Sequence, residues 1–265
     1  MPSRFNIFIF ILLIQSPGFS QSPYSLDTGR EVVIFGGGII LGVVDNKIIE
    51  NTEPIPYDEL KTLSRKNINS FDRGATYNWS PRAADLSDIL LITAIASPLL
   101  LFTSSAVRDD AGTYTTMYLQ NFLTTYSVSH LPKAMFNRYR PYSYNNDIED
   151  EIRVSPPAKL SFFSAHTSIS FASAVFLSTT FNKYNPDSKL TPYIWGTSLL
   201  LASVVGYLRY ASGKHFPTDI ITGAIVGSII GYLIPLIHES DEEETGLNVP
   251  AGNPYNNLIS FNINL

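Results

Sequence analysis

Apolar stretches separated by polar connections dominate this chain, and they leave few folds open to it. Six recur, at residues 32–44, 89–106, 114–131, 169–181, 193–207 and 220–237. A helix that crosses the hydrocarbon layer needs roughly 20 mostly apolar residues, and 89–106 and 220–237 come closest. Any one of the shorter stretches also fits a buried helix of a soluble protein. Several in series point to lipid instead, and the scarcity of charge agrees. Charged residues are 15% of the 265, against about 25% in ordinary soluble domains.

The individual stretches carry further expectations. Residues 32–44 contain Gly36, Gly37 and Gly38, and the sequence predicts a stop at Asp45. Residues 114–131 carry Gln120 and Asn121, so that helix needs a protein-facing side. In the last stretch Gly223, Ala224, Gly227, Ser228 and Gly231 recur at close spacing, which suits close helix contact in lipid. Ahead of them all, Arg4 is followed by an apolar run, 5–14, interrupted by Asn6 and ended by Pro17 and Gly18. Such a run is too short to span but fits an export signal, with Ser20 and Ser22 as small residues for cleavage. An uncleaved anchor or a buried strand is the alternative reading.

The connection at residues 50–88 is polar, with Pro54, Pro56 and Pro81. The chain closes with an acidic run, 239–244, read as a solvated face, and an Asn-rich tail. Residues 258–265 of that tail alternate enough for a short strand. A net charge of -5 without a basic face argues against a nucleic-acid partner. With no cysteine, a disulfide framework, a thiolate metal site and a cysteine nucleophile are all excluded.

Three polar clusters sit at the edges of the apolar stretches. The first is Lys133 and, after six residues, Arg140-Pro141; the second is Ser164-Ala165-His166; the third is Arg209, His215 and Asp219. Taken singly, each has a plainer role. Lys133 and Arg140 fit loop cations, Ser164 a helix N-cap, His166 a structural histidine and Arg209 a snorkelling side chain. Taken together they assemble three permanent cations, two imidazoles and a carboxylate beside lipid, where ionisable groups are costly and mark function. A phosphate monoester carries close to two negative charges, and the planar fork of arginine suits its oxygens. A helix starting at Ser164 offers free N–H groups to an anion. Asp219, four residues after His215, is placed to fix the imidazole tautomer, and Pro217 to open the last helix.

Jointly the clusters resemble the signature of the type 2 phosphatidic acid phosphatase superfamily, which contains lipid phosphatases and vanadium-dependent haloperoxidases. The resemblance runs from about residue 85 to 238. It implies an all-α, multi-pass membrane bundle of about six helices with the active site at one mouth. The implied organisation is a signal peptide or short anchor (1–22), a first membrane segment and polar connection (23–86), a phosphatase core (87–238) and the tail (239–265). By resemblance His215 is the nucleophile that becomes a phosphohistidine, Asp219 orients it, and His166 protonates the leaving alkoxide. Lys133, Arg140, Arg209, Ser164 and the Ala165 amide hold the phosphoryl oxygens. No metal and no cofactor is implied. Three positions depart from the signature: Phe163 for Pro, Ala165 for Gly and Leu208 for Ser. Ala165 puts the local backbone conformation in question, but every ionisable position is intact.

The expected substrate is a membrane lipid phosphate or pyrophosphate. The rival readings are a lipid phosphotransferase with the same pocket, a vanadium haloperoxidase, which the apolar stretches disfavour, and a membrane scaffold that keeps only the fold. The sequence leaves the oligomeric state open. Export and lipid phosphatase roles favour a bacterial inner membrane with the mouth at the periplasm, while Lys and Arg in 50–88 favour the cytosolic side.

Overall fold

The computed structural model describes residues 22–240. The expected export signal, apart from Ser22, and the tail beyond residue 240 lie outside the described residues. The described chain is all-α, its six long helices being α1 (Thr28–Glu50), α2 (Pro81–Ala96), α3 (Ala111–Phe136), α4 (Ala165–Tyr184), α5 (Thr191–Ala211) and α6 (Pro217–Ile237). Local chemistry sets several of the starts. The Asp27 carboxylate accepts the Arg30 N–H at 2.8 Å, and the Ser80 hydroxyl accepts the Ala83 N–H at 3.2 Å. Proline opens α2 and α6, where its missing N–H costs nothing.

Each expected stretch lies on one of these helices, with two corrections. Asp45 does not stop α1, which runs on to Glu50 with the Asp45 side chain fully buried. The second stretch is not one helix over 89–106. α2 begins earlier, at Pro81, and ends at Ala96, and Ser97–Thr103 continues as a tighter 3-10 turn. Pro98 lies in that turn and has no N–H to extend the α ladder.

The helices alternate in direction. At one end of the bundle, Glu31 of α1 meets Gln120 of α3 and His238 just past α6. The Tyr114 hydroxyl donates to the Pro98 carbonyl at 2.8 Å, and Lys183 pairs with Glu239 at 3.4 Å. A core of Tyr24, Tyr114, Met117, Phe176 and Ile234 closes this end. At the other end lie the start of α2, the ends of α3 and α5, and the starts of α4 and α6. Gln120 and Asn121 are buried, so α3 has the protein-facing side its sequence requires.

α4 and α6 pack most closely. A Cβ on Gly227 would stand 2.0 Å from the Ser168 carbonyl oxygen, one on Gly223 2.7 Å from that of Ser164, and one on Gly231 2.5 Å from that of Ala172. These glycines let two backbones touch, whereas Gly36 and Gly37 face open space. Large apolar side chains point outward, among them Val33, Ile40, Ile92, Leu200 and Ile229. Thr28–Glu50, Pro81–Thr103 and Pro217–Ile237 are each long and apolar enough to cross a bilayer. The chain is an integral membrane protein.

The polar connection after α1 is a packed cover. Its Ile55 and Leu60 join Tyr142, Ile148, Val154 and Ala158 in a second apolar cluster beside the mouth. The Ile55 N–H donates to the Val154 carbonyl at 2.8 Å, and Arg65 Nη2 donates to Asn145 Oδ1 at 2.9 Å.

Candidate active site

The third cluster is shaped by a turn that requires glycine. α5 ends at Ala211, and Gly213 follows with φ +71°, a left-handed conformation typical of the residue after a helix. A Cβ there would also stand 2.2 Å from the Asn78 carbonyl oxygen. The turn folds back so that the N–H groups of Lys214 and His215 both donate to the Arg209 carbonyl, at 3.1 and 3.3 Å. His215 is thereby held beside the end of α5, fully buried.

Asp219 sits in the first turn of α6. Its Oδ2 accepts the Phe216 N–H at 2.9 Å and the Ser161 hydroxyl at 2.6 Å. His215 Nδ1 stands 3.6 Å from the same oxygen. That is an ion-pair distance rather than a hydrogen bond, and Nδ1 has no hydrogen-bond partner among the described residues.

The cations converge on this imidazole. Burial disfavours the charged form of His215 most, followed by the positive charges of Arg140, Lys133 and Arg209, and its pKa lies well below the ordinary histidine value. His215 is therefore a neutral imidazole at pH 7. Lys133, in the last turn of α3, donates to the Phe163 carbonyl. Arg140 is held by its own N–H, which donates to the Ala158 carbonyl at 2.7 Å. Arg209 Nη1 donates to Ser87 Oγ at 2.9 Å and lies 3.3 Å from Asp88 Oδ1. Arg140 Nε and Arg209 Nε are buried donors that no described residue accepts from.

Ser164 caps α4, its hydroxyl accepting the Thr167 N–H at 3.3 Å. Ala165 is the first helical residue and does not have positive φ, so the substitution of alanine for glycine is without strain. His166 follows, its Nε2 2.7 Å from Asp88 Oδ1. All eight expected site residues thus lie at one mouth.

Sequence reasoning missed several groups there. Arg138, between the two cations of the first cluster, places Nη1 2.5 Å from Asp219 Oδ1 and Nη2 2.7 Å from Asp72 Oδ2. Asp72, from the polar connection, also accepts the N–H and the hydroxyl of Thr218, at 3.0 and 2.8 Å. Burial alone raises the Asp72 pKa. The hydrogen bonds from Asn69, Thr218 and Arg138 outweigh it and hold the carboxyl below its usual range. Lys214 is a further cation at the mouth, its Nζ 5.2 Å from the Tyr142 ring centre. Burial, then Arg140 and Arg209, lower its pKa to about 8. Ser87, Asp88 and Ser161 complete the set. The one available signal was Arg138, a third basic residue in the first cluster.

Residues 114–242 match the PAP2 superfamily. A lipid A 4'-phosphatase of Porphyromonas gingivalis is 30% identical over 148 residues, covering 54% of this chain and 58% of that protein. The chain therefore spans less than two thirds of that relative's length. A transmembrane PAP2 type phosphatidylglycerolphosphate phosphatase from Bacillus subtilis superposes with a TM-score of 0.48, at 18% identity, over 78% of this chain and 95% of that one.

Proposed function

We propose, from the match of residues 114–242 to the PAP2 superfamily, that the chain is a phosphatase acting on a membrane lipid phosphate. The observation that carries the reading is the charge arrangement at the mouth. Lys133, Arg140 and Arg209 surround the neutral imidazole of His215, and two buried arginine nitrogens make no hydrogen bond among the described residues. A buried donor without a partner costs about 1–3 kcal/mol, and phosphoryl oxygens are acceptors of the right charge and geometry.

In this reading the free Nε2 of His215 attacks phosphorus. The bond to the leaving alkoxide breaks, and His166 gives that oxygen a proton. The phosphohistidine is then hydrolysed by a water whose proton returns to His166. The three cations and the N–H groups at the start of α4 hold the phosphoryl oxygens. Phosphoryl transfer asks mainly for positioning and charge stabilisation. Asp219 anchors the turn that carries His215 and favours its charged form as the phosphohistidine builds up. Phosphorylated lipid A heads the candidate substrates because of the relative named above. Phosphatidate, phosphatidylglycerol phosphate and undecaprenyl pyrophosphate follow. The test is phosphate release by the purified protein in detergent. Release from lipid phosphates that disappears in His215→Ala supports the reading. Equal turnover of soluble sugar phosphates contradicts the lipid preference, and no release from any lipid phosphate contradicts the activity.

The proposed location is a bacterial inner membrane with the mouth at the periplasm. α1 begins at the end of the bundle opposite the mouth. This placement therefore sets residues 22–27 on the cytosolic side and is incompatible with cleavage of an export signal ahead of them. A cysteine replacing exposed Asp147 should react with an impermeant thiol reagent applied from the periplasm. Protection until the cells are lysed overturns the placement.

A further inference from the structure

His166 stands in the first turn of α4 with one ring nitrogen already engaged. Nε2 lies 2.7 Å from Oδ1 of Asp88, which α2 brings across the mouth. The positive charges of Arg209, from α5, and Arg140, from the connection after α3, bear on the same ring, and His215 lies beyond. Burial opposes a proton on His166 most, and both arginines add to it. Asp88 is the carboxylate that favours one. The Asp88 side chain is 59% exposed, so it is not there to fill a core. Its Oδ1 also lies 3.3 Å from Arg209 Nη1, which ties the carboxylate in place from a second side.

We propose, on the premise that His166 is the general acid, that Asp88 is its positioning residue. By accepting the Nε2–H it turns Nδ1–H toward the leaving oxygen. As the phosphorus–oxygen bond breaks, the proton on Nδ1 passes to the alkoxide, leaving a neutral ring still bonded to Asp88 through Nε2–H. In the second step water attacks phosphorus, the phosphorus–nitrogen bond to His215 breaks, and Nδ1 takes the water's proton. Asp88 itself stays ionised and touches no reacting atom, a division of labour that recurs where a carboxylate orients a working imidazole.

The experiment compares Asp88→Asn and Asp88→Ala with His166→Ala on a lipid phosphate and on nitrophenyl phosphate, whose leaving group needs no proton. Asn keeps the size and an acceptor but removes the charge; Ala removes both. His166→Ala should lose about 10²–10⁴-fold on the lipid and less on the nitrophenyl ester. The Asp88 variants should lose about 10–100-fold on the lipid, with the same selectivity. In Asp88→Asn the alkaline limb of kcat should move to lower pH, because the imidazolium loses its opposite charge. All variants should elute from a sizing column in detergent as the parent does.

Selectivity in His166→Ala with equal losses on both esters in the Asp88 variants overturns the proposal and leaves His166 as the acid. A lower KM with unchanged kcat also overturns it, since Asp88 would then act only as a competitor for Arg209. Absence of selectivity in His166→Ala removes the premise, and the proposal falls with it.

Discussion

Arg138 Nη1 lies 2.5 Å from Asp219 Oδ1. The other guanidinium nitrogen of Arg138 reaches Asp72, so one arginine joins the loop after α3, the polar connection and the start of α6. Both carboxylates are fully buried and Arg138 is about a quarter exposed. Its loss leaves two buried carboxylates each short of a cation. Arg138→Gln is expected to destabilise the protein by about 3–5 kcal/mol and to lower kcat. Arg138→Lys should recover only part of this, because a single ammonium cannot serve both carboxylates in the same geometry. Thermal unfolding in detergent and turnover check the pair, and unchanged stability in Arg138→Gln contradicts it.

The depressed His215 pKa has a consequence for acid pH. The free enzyme keeps a neutral nucleophile below pH 6.5, so kcat/KM should not fall with the ordinary histidine pKa of about 6.5. Removing a neighbouring cation raises that pKa. In Arg140→Gln the acid limb should move upward toward about 6.5, beside an overall loss from weaker phosphate binding. A limb that stays in place, or moves to lower pH, contradicts the electrostatic account of the mouth.

Helix contact should tolerate side chains at some glycines only. Gly227→Ala drives a methyl into the Ser168 backbone, with an expected cost of about 1–3 kcal/mol. Gly37→Ala meets open space and should be neutral or stabilising by up to about 1 kcal/mol. Thermal midpoints in detergent distinguish them, and equal behaviour of the two variants contradicts the close α4–α6 approach.

The cations at the mouth are Lys133, Arg140, Arg209 and Lys214, while the buried carboxylates Asp72 and Asp219 are both paired with Arg138. Hydrolysis is therefore expected to survive EDTA. Vanadate, which takes a trigonal-bipyramidal form like the transition state, should inhibit. Complete loss in EDTA with rescue by magnesium contradicts this.

Much of this was legible in the sequence because it is local. Apolar stretches mark all six long helices, Ser164 and Pro217 mark two helix starts, and Gln120 and Asn121 mark the inner face of α3. Short spacings gave the three clusters. The parts that were not legible depend on contacts distant in sequence. Asp72 meets Thr218, far apart in sequence, and nothing in the polar connection distinguishes it from the other carboxylates there. By sequence Ser87 and Asp88 belong to the polar connection 50–88, yet α2 starts at Pro81 and carries both into the mouth. The charge of Asp45 predicts a stop, but tertiary packing overrides the modest helix penalty of a single aspartate.

The central claim is that His215 becomes covalently phosphorylated during turnover. Rapid acid-free quenching after mixing with a lipid phosphate labelled at phosphorus should trap label on the protein. That label should be acid-labile, stable in alkali, and located by peptide mapping on His215. With labelled nitrophenyl phosphate, whose leaving group needs no proton, His166→Ala should still accumulate it, and His215→Ala should carry none with either substrate. Label on His166, or phosphate release by an active enzyme with no labelled protein at any time during the first turnover, contradicts the account.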